Sequence, residues 1–221
     1  MSEEKWDATQ KKTYTRWMNS FLKRRGKSVD DLFSIGDGVL LINLLEIIGG
    51  ESLNTFGSAT KRKWYDAPKN IVQRGENLQL AIDYVKSKGI ELVNVGSGDI
   101  EKGNKKIILG LIFTILLRFS VTDLDGKKGL LLWCQRSTEK HAGVEDVKNF
   151  TNSFTDGLAF CAIINRYRPD LIDFDSLDKK NAKANLELAF SAAQKLGIDR
   201  LLDVEDLADN PAPDEKVINT Q

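Results

Sequence analysis

The chain contains few of the residues from which catalytic and metal sites are usually built. Its 221 residues include two cysteines and one histidine. Cys134 and Cys161 each lie within an apolar run, which indicates buried thiols rather than a disulfide framework and favours a reducing cytosol. His141 and two such cysteines do not supply the four ligands of an ordinary zinc site, and buried thiols are poor nucleophiles. We therefore expect no metal, no cofactor and no enzymatic activity.

Targeting, membrane-spanning and nucleotide-binding patterns are also missing. The first twelve residues have no apolar segment of a signal peptide, and the main apolar run, residues 107–119, is shorter than the about 20 residues that span a bilayer. Gly26-Lys27-Ser28 lacks the leading glycine of a phosphate-binding loop, because Phe21 stands in its place. Residues 96–98 lack the third glycine of a dinucleotide loop, and residues 123–126 place their glycine wrongly for a calcium loop. The sequence therefore predicts neither a transmembrane protein nor a nucleotide-dependent enzyme.

An overall excess of charge of either sign is absent, since 32 basic residues balance 32 acidic ones. The balance hides an asymmetry: residues 1–126 hold 19 basic and 16 acidic side chains, whereas residues 127–221 hold 13 and 16. These counts give +3 for the first part and −3 for the second. The pattern predicts an acidic partner for the first half, but the excess is too small to indicate nucleic acid binding.

Helical periodicity predicts an all-α fold. Residues 14–22 place their apolar side chains on one stripe, Asp7 to Gln10 resembles a capping pair, and Gly26 is predicted to end this helix. Residues 107–119 are apolar on every face, which predicts a central core helix with one face reserved for a partner. Gly75 interrupts a predicted helix over residues 71–88 and is expected to destabilise it by up to about 1 kcal/mol relative to alanine.

The four tryptophans divide by their sequence context. Trp17 and Trp133 fall on apolar helical stripes, so we expect both in the core. Trp6 and Trp64 lie among polar residues and are better candidates for the surface.

The second half of the sequence repeats the first. Asp37-Gly38 is echoed by Asp156-Gly157, 119 residues later, and Asn77 is echoed by Asn185, 108 residues later. A period of this length indicates two duplicated domains rather than a solenoid, whose repeats run to about 20–50 residues. The predicted division is a first domain at 1–121, a linker at 122–126 and a second domain at 127–221.

Longer stretches of the sequence resemble a known family. QKKTYTRWMN at residues 10–19 and LVNVGSGDIEKGNKKIILGLIFTILLRF at residues 92–119 are similar to the two signatures of the tandem calponin-homology actin-binding domain. That domain occurs in alpha-actinin, cortexillin, filamin, spectrin and dystrophin, and residues 129–138 and 154–177 look closest to alpha-actinin or cortexillin. The resemblance covers nearly all 221 residues. It implies two compact helical bundles, each around a central hydrophobic helix, in a non-catalytic F-actin-binding module of the cytoplasm and cell cortex.

The resemblance also implies which residues form the functional surfaces. The family's three actin-binding segments match residues 10–19, 104–119 and 129–138. Within them the implied actin contacts are Gln10, Lys11, Thr13, Tyr14, Arg16, Asn19, Lys105, Lys106, Leu109, Ile112, Phe113, Leu116, Leu130, Gln135 and Arg136. Lys61, Arg62 and Lys63 are an implied accessory contact.

An alternative function is a phosphoinositide-dependent adaptor between membrane and cytoskeleton. The resemblance implies head-group binding by Lys140, Lys148, Arg166 and Arg168, because lysine and arginine suit phosphate oxygens.

The sequence also departs from the family. Phe113 stands where the family usually has a tryptophan that stacks on a lysine of the second domain, matched here by Lys216. Phenylalanine is the poorer cation–π partner, which predicts a weaker closed form. The family's last helix continues for about three more turns than this sequence provides, so we expect either a less stable second domain or a sequence that is part of a longer protein. The chain alone is expected to be monomeric.

Overall fold

The computed structural model describes residues 3–56, 64–120, 126–144, 147–210 and 212–221. Those residues form ten α-helices and several short 3-10 helices, and no strand occurs among them, which confirms the predicted all-α fold. The α-helices are α1 (Glu3–Leu22), α2 (Val39–Gly49), α3 (Ile71–Ser87), α4 (Ser97–Glu101), α5 (Lys105–Ser120), α6 (Gly126–Thr138), α7 (Leu158–Tyr167), α8 (Ala182–Lys195), α9 (Val204–Ala208) and α10 (Glu215–Ile218).

The chain groups into two compact units by its internal contacts. One unit consists of residues 14–122, and the other combines residues 1–13 with residues 123–221. We call them the central unit and the C-terminal unit. The division falls inside α1, whose first half packs with the C-terminal unit. The predicted division at 121–127 stays a prediction, and residues 122–125 of its linker lie outside the described residues.

The second half of α1 carries the predicted apolar stripe into the core. Tyr14, Trp17, Met18 and Leu22 are all at most 5% exposed. The helix begins at Glu3, so the prediction that Asp7 caps its first turn is wrong. Residues 3–6 extend the helix because Glu and Lys at three of those positions are good helix formers. A 3-10 turn follows, and Gly26 ends it in the left-handed region (φ 63°), as predicted.

Helix α5 forms the centre of the core of the central unit. Ile108, Ile112 and Ile115 have no exposed surface, which confirms the predicted core helix. The helix is not buried on every side, because Lys106 and Gly110 lie four residues apart on an exposed face. Burial of the α5 side chains thus follows the helical repeat, even though residues 107–119 are apolar on nearly every face of the helix.

The repeated Asp-Gly and Asn residues form the same local structure in both units. In the central unit, the Asp37 carboxylate accepts from the N–H of Val39 at 2.9 Å, and the side-chain amide of Asn77 donates to the Asp37 carbonyl at 3.0 Å. Gly38 lies between them at φ 76°, and a Cβ there would stand 2.7 Å from the Cβ of Asn77. The turn therefore requires glycine for its backbone conformation and for space.

The C-terminal unit repeats this arrangement. Asp156 accepts from the N–H of Leu158 at 3.0 Å, and Asn185 donates to the Asp156 carbonyl at 2.9 Å. A Cβ on Gly157, at φ 78°, would stand 2.6 Å from a backbone nitrogen. The sequence repeat thus reflects one recurring hydrogen-bonded turn. It fixes the start of α2 against α3 and the start of α7 against α8.

A chain of aromatic rings fills the core of the C-terminal unit. Phe150, Phe154, Phe160 and Phe190 follow one another with centroid separations of 5.6, 4.9 and 5.6 Å. These distances lie within the range at which aromatic pairs attract one another.

The tryptophan predictions are only partly correct. Trp17 is buried as predicted, but the prediction for Trp133 is wrong: its side chain is 39% exposed and stacks on Tyr167 with a centroid distance of 6.3 Å. The reason is the register of α6, which buries Cys134, the next residue, and turns Trp133 to the flank of the stripe. Trp64 is half-buried, and the side chain of Trp6 lies outside the described residues.

Candidate functional site

The first implied actin-binding segment lies on α1, and several of its side chains already have structural roles. Gln10, Thr13 and Tyr14 are at most 8% exposed. Asn19 is half-buried and forms a reciprocal pair of hydrogen bonds with Val29, at 3.0 and 2.8 Å, which fixes the chain after Gly26. The half-buried residues Lys11 and Arg16 are the more accessible members of this set.

The second implied segment is divided by the register of α5. Leu109, Ile112 and Leu116 are at most 4% exposed and belong to the core, so their side chains do not form an open contact face. Phe113 is half-buried and packs beside Tyr14 with a centroid distance of 6.3 Å.

The residues on the exposed side of the first two turns of α5 are two lysines and a glycine. Lys105 and Lys106 are exposed in the first turn of α5, and Gly110 is exposed one turn later. The Lys105 ammonium lies 5.8 Å from the centroid of the Phe33 ring. Gly110 lies one turn from Lys106 on this exposed side but is not among the implied contacts.

The third implied segment lies on α6. Gln135 and Arg136 are exposed, and the Gln135 side chain donates to the carbonyl of Val147 at 2.9 Å. Leu130 is half-buried and lines an apolar cavity of about 200 Å³. Leu132, which is not among the implied contacts, is 44% exposed beside Trp133. The implied accessory contact at residues 61–63 lies outside the described residues.

The four residues implied for phosphoinositide binding occupy different places. Lys140 and Arg166 line one open groove of about 1040 Å³. Lys148 lines a separate cavity of about 360 Å³. The Arg168 guanidinium forms a bidentate ion pair with the Asp170 carboxylate, with N···O distances of 2.8 and 2.7 Å. Hydrogen bonding within that pair raises the pKa of Arg168 and lowers the pKa of Asp170. Only Lys140 and Arg166 are therefore brought together.

The same groove contains the single histidine. His141 is 9% exposed, and its Nε2 lies 2.9 Å from the side-chain oxygen of Asn165. The Asn165 amide donates in turn to the carbonyl of Ile172 at 2.8 Å, so Asn165 accepts from the His141 ring. This network gives His141 a structural role between α7 and the following loop.

Both cysteines are poorly suited to nucleophilic chemistry. Burial raises the pKa of the Cys134 thiol to about 12, and the pKa of Cys161 is likewise raised to about 12 by burial, with a further contribution from Asp156. The reactive thiolate is therefore scarce at neutral pH. Among the described residues, no group of three or more His, Cys, Asp and Glu side chains is placed to hold a metal ion. None of the described helices is long and apolar enough to cross a membrane.

The implied interdomain pair combines residues of different units. Phe113 belongs to the central unit. Lys216 lies in the first turn of α10 in the C-terminal unit, where its backbone N–H donates to Asp214 at 2.9 Å. Their pairing stays a prediction.

Comparison with known proteins agrees with the duplicated helical fold. The model of the calponin homology (CH) domain matches residues 8–121 and again residues 124–220. Because these two matches cover nearly the whole chain, the chain belongs to the calponin homology domain family and contains two CH domains in tandem.

The similar proteins include alpha-actinins. The chain is 48% identical over 228 residues to Alpha-actinin-like protein 1 of Schizosaccharomyces pombe, a match that covers 100% of this chain and 35% of that protein. It is 44% identical over 222 residues to sarcomeric alpha-actinin of Drosophila melanogaster, which covers 97% of this chain and 23% of that protein. The chain thus spans about a third or less of the length of these relatives.

A solved structure supports the same fold. The actin-crosslinking core of Schizosaccharomyces pombe fimbrin superposes with a TM-score of 0.73 at 21% identity, covering 96% of this chain and 46% of that one. At this identity the likeness is evidence for the fold alone.

Proposed function

We propose that the chain is an actin-filament-binding module of a cytoskeletal cross-linking or anchoring protein, without catalytic activity. The observation that carries the proposal is the pair of tandem CH domains, with 48% identity over the whole chain to an alpha-actinin-like protein. The fimbrin structure of similar fold is described as an actin-crosslinking core. The high pKa of both thiols supports the non-catalytic role. A place in the actin cytoskeleton of the cytoplasm and cell cortex follows from this function.

The exposed residues that best support filament contact are Lys105 and Lys106. Both lie in the first turn of α5, so their charges are presented without disturbing the apolar side chains that follow. Two adjacent cations suit an acidic surface, which agrees with the positive charge of residues 1–126.

The test is filament co-sedimentation of the double variant Lys105→Glu/Lys106→Glu. Reversing two contact charges is expected to weaken binding by about tenfold or more, on the order of 1.4 kcal/mol. The matched control is Lys180→Glu/Lys195→Glu, which makes the same charge change at exposed positions outside the implied segments and should bind as the parent does. Equal binding by both variants would show that α5 does not contact the filament in this way.

A second candidate function is phosphoinositide-dependent attachment to membranes. The observation that favours it is the shared groove of Lys140 and Arg166, because two cations beside one cavity can bind a phosphorylated head group. Liposome flotation separates this function from actin binding. Retention by phosphoinositide vesicles that is lost in Lys140→Glu/Arg166→Glu, and kept when the already paired Arg168 is changed to Glu, would favour the lipid function.

We also infer that a closed and an open arrangement of the two domains regulates binding. The inference rests on the family positions of Phe113 and Lys216 and on the weaker cation–π partner that phenylalanine provides. A protein that binds only when open loses apparent affinity in proportion to its closed fraction.

A further inference from the structure

The apolar cavity beside Leu130 lies wholly within the C-terminal unit, between α6, α7, α8 and α10. We call it the aromatic cavity, because the four rings of Phe150, Phe154, Phe160 and Phe190 form part of its wall. Among the described residues that line it, none carries a charge. Bringing an ion into such surroundings costs free energy that no opposite charge offsets, so the cavity suits a neutral, apolar ligand.

One polar side chain in this wall has an unmet requirement for hydrogen bonds. Asn219 follows α10 and lines the cavity. Both the nitrogen and the oxygen of its side-chain amide are buried, and neither has a hydrogen-bond partner among the described residues. Buried polar groups are nearly always bonded, because an unsatisfied one loses its hydration and gains nothing in return. The Asn219 amide therefore lacks one acceptor and one donor.

The backbone around Asn219 is firmly anchored. The N–H of Asn219 donates to the carbonyl of Glu215 at 3.0 Å. Two residues later, the side-chain oxygen of Gln221 accepts from the N–H groups of Leu201 and Leu202 at 2.9 and 3.0 Å. The unsatisfied amide is thus held at the cavity wall by contacts on both sides of it.

The volume of the aromatic cavity limits the size of its ligand. An apolar cavity of about 150 Å³ with aliphatic and aromatic walls is enough to bind benzene. At about 200 Å³ this cavity can hold one ring with a polar group or two small fused rings. Trp133 and Ile198 line the cavity and are 39% and 47% exposed, so a ligand can enter from solvent beside them.

We propose that the aromatic cavity is a binding site for a small, neutral aromatic molecule that carries an amide or lactam group. Its ring packs against the phenylalanines of the wall, where aromatic pairs attract one another. Its polar group pairs with Asn219, because a lactam presents an N–H and a carbonyl side by side, the complement of the carbonyl and NH₂ of a primary amide. This binding site goes beyond filament binding and does not depend on it.

The test uses two probes of similar shape and different polarity. Oxindole is a bicyclic lactam with a ring N–H next to its carbonyl, and indane has the same fused-ring shape without a polar group. Because the probes differ in hydration, each is compared between the parent and Asn219→Leu, which removes the amide and keeps a side chain of similar size. We expect oxindole to bind the variant roughly tenfold more weakly than the parent, since hydrogen bonds are lost, and indane to bind it at least as well.

A second pair of variants tests the place of binding. Ala193→Leu adds a side chain to the cavity wall from α8 and should abolish binding of both probes. The matched control is Ala184→Leu, which makes the same change at an exposed position of the same helix and should bind as the parent does. Melting curves identify any variant that fails to fold, and Ile163→Phe then fills the cavity from α7 in place of Ala193→Leu.

Two measurements are made on the whole chain. The rise in melting temperature with probe concentration gives the affinity, because a ligand of the folded state stabilises it. Nuclear magnetic resonance follows the side-chain NH₂ signal of Asn219, which is identified by its absence from Asn219→Leu. We expect oxindole to shift this signal in the parent and to leave it unchanged in Ala193→Leu.

The outcomes separate the cavity from the pairing with Asn219. Binding of neither probe by the parent, or equal binding by the parent and the filled variant, would overturn the binding site. Oxindole that binds Asn219→Leu as tightly as the parent, or that leaves the Asn219 signal unmoved, would overturn the assignment of an amide or lactam ligand. Neither result bears on filament binding, which is measured separately.

Discussion

The most informative single residue outside the candidate surface is Glu46, a carboxylate that is 7% exposed. Its oxygens accept from Arg25 at 2.6 Å, from the N–H of Leu53 at 2.8 Å and from Ser52 at 3.2 Å. Burial pushes the pKa of Glu46 upward, but these donors outweigh it and hold the pKa below its ordinary value of 4.5. The ionised form therefore stabilises the folded state.

Replacing Glu46 by Gln should lower the free energy of unfolding at neutral pH by about 1–3 kcal/mol, because a charged acceptor of several hydrogen bonds is lost. Since the folded pKa lies below 4.5, this stabilisation is complete well above pH 4.5 and is lost as the pH falls from there through the folded-state pKa.

Urea unfolding of parent and variant over this range measures the effect. The difference between them should shrink as the solution is acidified, and a difference that stays constant would contradict the assignment. The control is Glu91→Gln, since Glu91 is exposed in the same unit and lies outside this hydrogen-bond network, so its replacement should change stability little.

At the scale of elements, α3 tests the cost of a glycine inside a helix. The helix runs unbroken through Gly75, and a Cβ at that position would meet no atom within 4 Å. Gly75→Ala should therefore raise the free energy of unfolding by about 0.5–1 kcal/mol.

Gly38→Ala is the contrasting variant in the same unit. It places a Cβ 2.7 Å from Asn77 at a positive φ and should destabilise the protein. Thermal melting of the two variants should move in opposite directions. A lower melting temperature for Gly75→Ala would mean that the helix needs flexibility at this position.

The sequence predicted the type of each secondary-structure element better than it predicted which face of that element is buried. Periodicity identified the stripe of α1 and the core role of α5, since both depend on local spacing. It did not separate buried Leu109 from exposed Gly110, because α5 is apolar on nearly every side and only tertiary packing selects its face. Trp133 was misassigned for the same reason: its neighbour Cys134 takes the buried position.

At the scale of the whole molecule, the sequence repeat was predictable because the turn geometry requires the residues that mark it. Asp-Gly and Asn recur since each unit needs a left-handed turn and a buried amide to hold two helices together. The contact of Lys12 with Asp203 and Asp206 was not predictable. Those residues are about 190 positions apart in the sequence, and no local pattern joins them.

The closed–open regulation gives a prediction at this scale. Lys216→Glu is expected to tighten filament binding by a few-fold and Phe113→Trp to loosen it. A partly exposed cation–π contact is worth about 0.5–1 kcal/mol, and tryptophan is the better partner. Co-sedimentation isotherms of both variants provide the measurement, with melting curves to exclude misfolding. Folded Lys216→Glu that binds no better than the parent would contradict the predicted pairing.

The paired asparagines have a consequence for spectroscopy. Both amide hydrogens of Asn77 are donated, to the carbonyls of Asp37 and Tyr65, and both of Asn185 are donated, to the carbonyls of Asp156 and Asp178. Side-chain amides bonded and buried in this way exchange with solvent only when the surrounding structure opens. The hydrogen-exchange rates of these two NH₂ groups, measured by nuclear magnetic resonance, therefore report separately on the opening of each CH domain.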